Sequence, residues 1–364
     1  MSNNTFWSNL QPPIIALAPM AGVCDSAFKQ MCRRGGADVV YTEFVSADAL
    51  SYNGKKTLEM LNFSEKERPV ICQIFGKKPE HFAKAAKVVE ELGFDGVDIN
   101  FGCPAYKVVK HGGGVSLMRN PALCAELVQA VTDNTKIPVS IKIRGSINCD
   151  GKVEAFEKRF IKELDPGSGP GMTCGDRSRM FNVTALDFLP HLLHLPIAAV
   201  MLHARSYEQP FDGKPNLDLA KQIKELLDGH KQKTGRRPVY LINGGVIDGP
   251  TAKDALETSG ADGVGIGRGS WGRPWIFSEI KSYLNEEIAP APDWSFIRET
   301  AKTHAGLALE AKGPYGLIEV RKHMAWYLKG FPGASALRAR LMQSKELAEI
   351  EQILSCHPEP SRGI

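Results

Sequence analysis

The stretch Gly96–Gly114, GVDINFGCPAYKVVKHGGG, runs a short apolar strand directly into a polar turn that contains a cysteine. The predicted strand is Gly96–Ile99, which Asn100 ends, and Cys103 stands before Pro104. Proline fixes φ and removes a backbone donor, so such a turn holds the thiol in a set direction. The alternative is a small buried hydrophobic cysteine, but cores seldom place one between glycine and proline at the carboxyl end of a strand. The stretch therefore predicts a reactive thiol.

Basic residues and glycines follow this cysteine. Lys107, Lys110 and His111 lie within about two helical turns of it. Nearby positive charge lowers the pKa of a thiol or lets the thiol serve as an acid. Gly112–Gly114 then allow a large group to approach the backbone closely.

Seven further apolar runs alternate with helix-like segments such as Glu80–Leu92 and Pro121–Thr132. This alternation is typical of repeated βα units and a parallel sheet. Eight strands in this order predict an α/β fold, a closed (β/α)8 TIM barrel, followed by a smaller C-terminal helical domain. The predicted strands are Ile14–Ala18, Val39–Thr42, Val70–Ile74, Gly96–Ile99, Val139–Ile143, Ala198–His203, Val239–Ile242 and Gly263–Ile266.

The residues at and just past the strand ends are unusually polar. Active sites of such barrels lie at the carboxyl ends of the strands, so these residues are the candidates for function. Singly, each has a plain alternative, such as a salt bridge at the rim, a helix cap or a hydrogen-bonded core histidine. In chain order they are Pro19, Met20, Glu43, Gln73, Asn100, Cys103, Lys142, Arg144, His203, Arg205, Asn243, Gly267 and Arg268.

The last two units carry glycines where barrels often bind phosphate. Asn243–Gly245 ends one strand, and Gly265–Gly269, with Arg268 inside it, ends the next. Backbone N–H groups of such loops and a helix N-terminus face the anion. The two loops together predict a phosphate site.

Composition indicates two unequal domains, residues 1–289 for the barrel and 290–364 for the helices. Hydrophobic content of 43% and charged content of 24% are ordinary for a globular protein, and no apolar run is long enough to span a membrane. The N-terminus lacks a secretory signal, so a cytoplasmic location is expected. The net charge of +4 is mild, so nucleic-acid binding requires a local patch. Oligomeric state and protein partners do not follow from the sequence.

The connection between the fifth and sixth strands is unusually long and contains DPGSGPGMTCGDRSR, so we predict an insertion at about 145–197. Its Gly/Pro-rich part, Asp165–Gly175, is expected to be a mobile surface segment. Eight cysteines form no C-x-x-C pair, which argues against a disulfide framework. Cys149 and Cys174 alone fall short of four zinc ligands, so no metal site is predicted.

In the C-terminal tail, the sequence predicts three helices, Trp294–Ala311, Leu317–Leu328 and Ser335–Leu354. The window from Arg321 to Arg340 has five basic residues and no acidic one. A phosphate backbone needs such a cluster of cations, so we assign RNA contact to it, whereas Trp326 is interpreted as core.

The ordered motifs resemble those of the tRNA-dihydrouridine synthases, FMN-dependent flavoenzymes with a barrel and a helical domain. The resemblance runs, with one interruption, from about Ile14 to Leu341. The motifs are Ala18–Gly22, Gln73–Gly76, Asn100–Ala105, Lys142–Arg144, His203–Arg205, Asn243–Gly244, Gly267–Arg268, Arg321–His323 and Trp326–Tyr327.

The resemblance implies reduction of the C5=C6 bond of specific tRNA uridines to 5,6-dihydrouridine, with FMN as cofactor, NADPH as electron source and tRNA as partner. Cys103 is then the proton donor to C5, while hydride reaches C6 from the reduced flavin. The implied FMN-binding residues are Pro19, Met20, Gln73, Lys142, His203, Asn243, Gly245, Gly267 and Arg268. The implied substrate-binding residues are Asn100, Lys107, Arg205, Arg321 and Lys322. Which uridine is reduced, and whether NADH replaces NADPH, stay open.

Two other functions remain alternatives. An FMN barrel acting on free pyrimidines or dihydroorotate has the same fold, but it does not account for the helical tail. A non-catalytic RNA-binding protein could keep the barrel as a scaffold. Cys103 and Lys142 argue against the second alternative.

Overall fold

Residues 5–147, 183–209, 213–288, 290–330 and 334–355 are described by the structure, a computed structural model. Eight parallel strands form the sheet, and a ninth, short strand, β6, runs antiparallel to β5. The strands are β1 Ile14–Leu17, β2 Val39–Ser46, β3 Val70–Phe75, β4 Gly96–Phe101, β5 Val139–Ile147, β6 Val183–Thr184, β7 Ile197–Ser206, β8 Val239–Asn243 and β9 Gly263–Ile266.

The sheet closes on itself, which confirms the predicted TIM barrel. β1 pairs with β2 on one side and with β9 on the other, where Ile14 lies opposite Gly263. β4 pairs with β5, so each parallel strand has two parallel neighbours and no edge is left open among them. All eight carboxyl ends therefore meet at one mouth of the barrel.

Helices cover the outside of the barrel and then form the C-terminal part alone. The helices are α1 Ser26–Arg34, α2 Ala47–Ser51, α3 Lys55–Met60, α4 Pro79–Glu91, α5 Tyr106–Lys110, α6 Pro121–Thr132, α7 Ala185–Phe188, α8 Leu217–Thr234, α9 Gly249–Ser259, α10 Ile276–Leu284, α11 Trp294–Lys312, α12 Pro314–Tyr327, α13 Ala334–Leu341 and α14 Leu347–Ser355. In the described residues after β9 the regular elements are helical, and the division at residue 290 stays a prediction. No helix of the described residues is both long and apolar enough to cross a membrane.

The strands separate two layers of side chains. A small inner cluster that includes Tyr41, Ile71, Met201 and Leu241 fills the barrel. The alternate residues face the helices, whose buried sides, such as Phe82 in α4, complete a larger outer cluster. Because successive strand residues point to opposite faces, the inner positions nearest the mouth are those that reach the site.

Several strands are longer at the carboxyl end than the sequence predicts. β2 continues through Glu43, with a register shift against β3 between Tyr41 and Phe44. β4 includes Asn100, which the prediction placed after the strand. Polar residues continue these strands because their side chains find partners in the mouth, which periodicity alone does not reveal.

Within the described residues, less of the 145–197 connection is an insertion than the sequence predicts. Ala185 and Phe188 of α7 are fully buried in the outer cluster, so the residues before β7 belong to the barrel and not to a surface excursion. The predicted mobile segment Asp165–Gly175 and the residues Cys149 and Cys174 lie outside the described residues.

The third predicted tail helix is wrong, because two helices, α13 and α14, take its place. The helix is interrupted around Ser344. The Ser344 carbonyl accepts hydrogen bonds from the Arg321 guanidinium of α12, one of them from Nε at 2.8 Å. Glu349 then accepts a hydrogen bond from the Lys345 amide at 2.8 Å. A long-range bond and a local cap thus end one helix and start the next.

A stack of two tryptophans joins the tail to the barrel. Trp271, just after β9, lies on Trp326 of α12 with ring centroids 4.6 Å apart and planes 5° apart. Both rings are half-buried and pack against the outer cluster, so the interpretation of Trp326 as a packed residue is confirmed. Gly272 follows with φ of +67°, and a Cβ there would lie 2.5 Å from the Trp326 backbone.

Gly272→Ala is therefore expected to lower the free energy of unfolding by about 2 kcal/mol or more, because a side chain is strained at this φ and overlaps α12. Thermal denaturation should show a fall of at least about 4 °C. Gly306→Ala in α11 is the control, since a Cβ there meets nothing within 4 Å. We expect the control to be neutral or stabilising by up to about 1 kcal/mol. Equal stability of both variants would contradict the tight contact.

Candidate functional site

Strand register brings most of the predicted residues to one arc of the mouth. Asn100 of β4 lies opposite Lys142 of β5, and Arg144 lies opposite His203 of β7. His203 in turn lies opposite Asn243 of β8. The structure thus gathers, from four strands, residues that the sequence could place only singly.

The loop after β4 is held in a fixed shape around Cys103. The Asn100 side-chain oxygen accepts hydrogen bonds from the amides of Gly102 at 3.0 Å and Cys103 at 2.9 Å. The amide of Val115 donates to the Cys103 carbonyl at 3.1 Å, which ties the loop to the 3-10 helix Gly114–Arg119. Cys103 is 9% exposed. The thiol therefore sits in a preset position at the edge of the mouth.

Burial raises the pKa of the Cys103 thiol, while a backbone hydrogen bond at Ala105 and the charges of Lys142 and Arg144 act in the opposite direction. The thiol is therefore protonated at neutral pH and can give up a proton. Cations do act on the thiol, but Lys107 is not one of them, contrary to the sequence prediction. The Lys107 side chain is exposed on α5, and the cations that act on Cys103 belong to β5.

Lys142 is a cation on which the charge of Asp98 acts, but no carboxylate of the described residues is in contact with it. Within the described residues its ammonium forms no hydrogen bond or ion pair, although it lies among buried groups. Burial first, and then Arg144, lower the pKa of Lys142 to about 8, with Asp98 and Cys103 opposing the change. The ammonium is still mostly charged at pH 7. It is suited to a negatively charged ligand in the mouth.

Two arginines bind the neighbouring loops together. Arg144 Nε donates to the Gly102 carbonyl at 3.1 Å, and its Nη1 donates to the Ser206 carbonyl at 2.8 Å. Arg205 Nε donates to the Gly213 carbonyl at 3.0 Å. Arg205, predicted as a substrate contact, is buried and holds the loop after β7.

His203 is neutral in this setting. Burial, followed by the charges of Lys142, Arg144 and the other nearby arginines, holds the pKa of His203 far below its usual range. Arg205 Nη1 lies 3.2 Å from His203 Nε2, and a guanidinium only donates, so Nε2 accepts. The ring proton is then on Nδ1, which remains a donor.

The loop after β8 leaves an open cradle beside this ring. Gly244 has φ of +109°, and a Cβ there would lie 2.8 Å from His203 Cδ2. Any side chain at Gly244 would fill the space over the imidazole. The Asn243 amide donates to the Gly265 carbonyl at 2.7 Å, so this predicted phosphate ligand also links β8 to β9. Gly245 is exposed beside the cradle.

The loop after β1 closes the other side of the mouth. Met20 Sδ accepts a hydrogen bond from Trp271 Nε1 at 3.3 Å and lies 3.6 Å from the Cβ position of Gly267. Pro19 and Met20 are half-buried, while Arg268 is exposed at the rim. Met20 therefore connects the predicted flavin surface to the Trp271–Trp326 stack.

Sequence reasoning missed Asp98 and Trp271, and it placed Glu43 outside the strand to which it belongs. Asp98 and Asn100 are two residues apart on β4, so strand alternation could have put both on the inner face. Glu43 Oε2 accepts a hydrogen bond from the Gly22 amide at 2.6 Å. No local signal connects residues so distant in sequence as Trp271 and Met20.

The tail residues predicted to bind RNA differ in their surroundings. The Arg321 guanidinium is engaged with the Ser344 carbonyl. Lys322 is half-buried on α12: burial raises the pKa of Glu43, and the charges of Lys312 and Lys322 oppose that rise. Lys322 is therefore the better placed of the two predicted contacts.

The mouth fits an anionic, planar group with a phosphate. An unpaired ammonium at Lys142, a donor at His203 Nδ1 and the cradle at Gly244 lie along one arc, and Arg268 adds charge at the rim. These features match the needs of FMN, whose reduced ring and phosphate are both anionic. No group of His, Cys, Asp and Glu in the described ranges is arranged to hold a metal ion.

Comparison with known proteins agrees with the geometry. The model of the family described as Dihydrouridine synthase (Dus) matches residues 16–164 and 182–359. The match is interrupted only at the Gly/Pro-rich stretch, a narrower gap than the predicted insertion at 145–197.

Similar proteins extend over most of the chain. One is the "tRNA-dihydrouridine synthase B" of Xanthomonas axonopodis pv. citri, 32% identical over 90% of this chain and 87% of its own length. Another is the "Probable tRNA-dihydrouridine synthase" of Mycobacterium tuberculosis, 34% identical over 95% of this chain and 82% of its own. Among solved structures, morphinone reductase is 13% identical and covers 81% of this chain and 93% of its own, with a TM-score of 0.44. A likeness at that score supports no conclusion about this chain.

Proposed function

Because the chain belongs to the dihydrouridine synthase family, we propose that it reduces the C5=C6 bond of specific tRNA uridines to 5,6-dihydrouridine, with FMN as cofactor and NADPH as electron source. The observation that carries this proposal is the pairing of a protonated thiol, Cys103 in the loop after β4, with the ammonium of Lys142 on the adjacent strand β5.

Lys142 and His203 are proposed to hold and tune the cofactor. When bound, FMN supplies the hydride that reaches C6 of the uracil. The charge of Lys142 favours the anionic reduced ring, and the Nδ1 proton of neutral His203 provides a hydrogen bond without adding charge. Pro19, Met20 and Gln73 are proposed to line the ring. Asn243, Gly245, Gly267 and Arg268 are proposed to hold its phosphate chain.

Cys103 is proposed to deliver the proton to C5. Addition of hydride at C6 places negative charge on the C5 side of the uracil, and a thiol within reach quenches it. The burial that raises the pKa of Cys103 keeps this proton on sulfur until it is needed. Asn100, next to the thiol, is proposed to orient the uracil as well as the loop.

tRNA is proposed to lie across the cleft between the barrel mouth and α12. Lys322 lies on α12, and Lys107 is exposed on α5, just after the Cys103 loop. Phosphates of a folded RNA can reach both while one base enters the mouth. Arg205 and Arg321 act in this arrangement mainly by holding the loops that carry the contacts.

The proposal is tested by mapping dihydrouridine on tRNA from cells with and without this protein. Loss of dihydrouridine at defined positions, restored by the gene and by purified yellow holoenzyme with NADPH, is the expected result. Reduction of free uracil but not of tRNA would favour the free-pyrimidine alternative. Absence of any flavin binding by the refolded protein would exclude the proposal.

Lys322→Ala is expected to reduce the slope of tRNA affinity against salt by the share of roughly one phosphate contact. The variant should also raise KM for tRNA, with flavin reduction by NADPH unchanged.

Arg321→Ala should in addition lower Tm, because the Ser344 carbonyl loses its donors. Lys233→Ala is the matched control, since Lys233 lies in the last turn of α8, away from the mouth. An Arg321/Lys322 double variant with unchanged tRNA affinity at low and high salt would show that this face of α12 does not bind RNA.

A further inference from the structure

A chain of buried polar side chains crosses β3, β4 and β5 behind the thiol loop. We infer that Asp98, at the centre of this chain, is a positioning residue that fixes the orientation of two amide side chains and, through them, the place of the Cys103 thiol. The inference rests on the proposed role of Cys103 as proton donor. Asp98 is 0% exposed and is not among the groups expected to touch FMN or uracil.

The contacts form an unbroken series. Gln73 Nε2 donates to Asp98 Oδ2 at 2.7 Å, and Asn100 Nδ2 donates to Gln73 Oε1 at 2.9 Å. The oxygen of the same Asn100 amide accepts from the backbone of Gly102 and Cys103. Ser140 Oγ donates to the other carboxylate oxygen, Asp98 Oδ1, at 2.6 Å. A carboxylate on β4 is thereby linked to the backbone amide of the reactive residue.

The two ends of this series set its polarity, that is, which group donates and which accepts in each hydrogen bond. An ionised carboxylate only accepts hydrogen bonds and a backbone amide only donates them, whereas each side-chain amide between them has one end of each kind. Asp98 therefore requires the NH2 group of Gln73, so the Gln73 oxygen must face Asn100. Asn100 then presents its NH2 to Gln73 and its oxygen to the loop amides. A single acceptor decides both amide orientations.

Removal of that acceptor frees both amides to rotate. In Asp98→Leu the Gln73 NH2 group is buried without a partner, which costs about 1–3 kcal/mol, so the amide turns to find one. A turned Gln73 offers NH2 to the NH2 of Asn100. Asn100 then turns its own NH2 toward the Gly102 and Cys103 amides, and donor meets donor. The loop must move, and the thiol moves with it.

Asp98→Asn has a different expected outcome. The new amide can accept from Gln73 through its oxygen and donate to Ser140 through its nitrogen. Ser140 can accept this bond because its hydroxyl also lies 3.4 Å from the Val97 carbonyl and can donate there instead. The polarity of Gln73 and Asn100 is preserved, so the asparagine variant should rescue what the leucine variant loses.

A pH profile separates an effect of hydrogen-bond polarity at Asp98 from an effect of its charge. Burial raises the pKa of Asp98 to about 6, against the hydrogen bonds from Ser140 and Gln73 and the charge of Lys142. The other titratable groups coupled to it, Tyr41 and Cys72, are uncharged in this range because burial raises the pKa of each. Below pH 6 the carboxyl gains a proton, which it can donate to Ser140 while its other oxygen still accepts from Gln73, as the amide of Asp98→Asn does. The polarity of the series is then kept, so wild type and Asp98→Asn should show the same change in rate across pH 6, whereas a rate that needs the carboxylate charge would fall with acid in wild type alone.

The experiment compares holoenzymes of wild type, Asp98→Asn, Asp98→Leu and Asp95→Leu. Asp95 precedes the same strand at the far end of the barrel and accepts two hydrogen bonds, from the Val70 amide at 2.8 Å and from Arg68 at 2.9 Å. It is therefore matched for lost hydrogen bonds but lies far from the thiol. Two quantities are measured: the single-turnover rate of tRNA uridine reduction by prereduced enzyme, and the rate of iodoacetamide alkylation of Cys103, followed by mass spectrometry of its peptide.

Asp98→Leu is expected to lose about 100-fold in the single-turnover rate with little change in KM for tRNA, and Asp98→Asn less than about tenfold. The rate of Cys103 alkylation should rise about tenfold in Asp98→Leu alone, since the loop then loses the restraint of about one hydrogen bond.

Equal rates in Asp98→Leu and Asp95→Leu would overturn the inference. If Asp98→Leu does not fold, an acid fall in rate in wild type that Asp98→Asn lacks would overturn it, because the charge and not the polarity of the series would then be what matters. A wild-type enzyme that forms no dihydrouridine would instead refute the proposed function, and alkylation would still test the loop.

Discussion

Cys103→Ala is expected to keep FMN bound while slowing uridine reduction by about 100-fold to 10,000-fold, the usual loss when a positioned proton donor is removed. The loop should keep its shape, because its restraint comes from the Asn100 oxygen and the Val115 amide, which contact only the Cys103 backbone. Flavin reduction by NADPH should proceed normally. The measurement is a single turnover of prereduced enzyme with tRNA, alongside the flavin spectrum.

Cys72→Ala is the control for loss of a buried thiol. Cys72 lies on β3 and faces the outer cluster, away from the mouth, so the expected effect is on stability and not on the chemical step. A Cys103→Ala variant as fast as Cys72→Ala would show that Cys103 is structural. A slowed variant that has also lost its flavin would point to cofactor retention in place of proton transfer.

The sequence predicts the barrel well because closure depends on local signals repeated eight times. Each apolar run such as Val139–Ile143 is followed by an amphipathic segment, and a parallel order then leaves few arrangements. The strand ends also predict which residues meet at the mouth, since register places Lys142 opposite Asn100 and His203 opposite Asn243. The polar extensions of β2 and β4 could not be predicted, because their stability comes from partners on other strands.

The features that the sequence did not predict are contacts between distant segments. The pairing of Asp98 with Gln73, the Trp271–Trp326 stack and the bond from Arg321 to Ser344 each join residues with no shared pattern. The last of these also explains the broken tail helix. Charge counting along α12 predicted equal roles for neighbouring basic residues, yet burial and hydrogen bonding in the fold give them different ones.

Lys142→Met is expected to disturb the flavin itself, and the effect is read on the flavin potential because the charge of Lys142 also acts on Cys103 and Asp98. The Lys142 ammonium is in contact with no carboxylate within the described residues, so the fold should persist, although Asp98 loses the influence of a cation. A unit charge acting over about 4 Å at an effective dielectric constant of about 20 is worth about 4 kcal/mol. For a two-electron couple this corresponds to at most about 90 mV, so the bound flavin should become harder to reduce by several tens of millivolts.

The pH dependence gives this prediction its sign. The pKa of Lys142 is lowered to about 8, so the ammonium that favours the anionic reduced ring is present below pH 8 and is lost above it. The wild-type potential should therefore fall more steeply with rising pH above 8 than that of Lys142→Met. Lys136→Met is the matched control, because Lys136 is exposed just before β5, at the opposite end of the barrel. If Lys142→Met and Lys136→Met have the same potential and the same reoxidation rate, Lys142 does not act on the flavin.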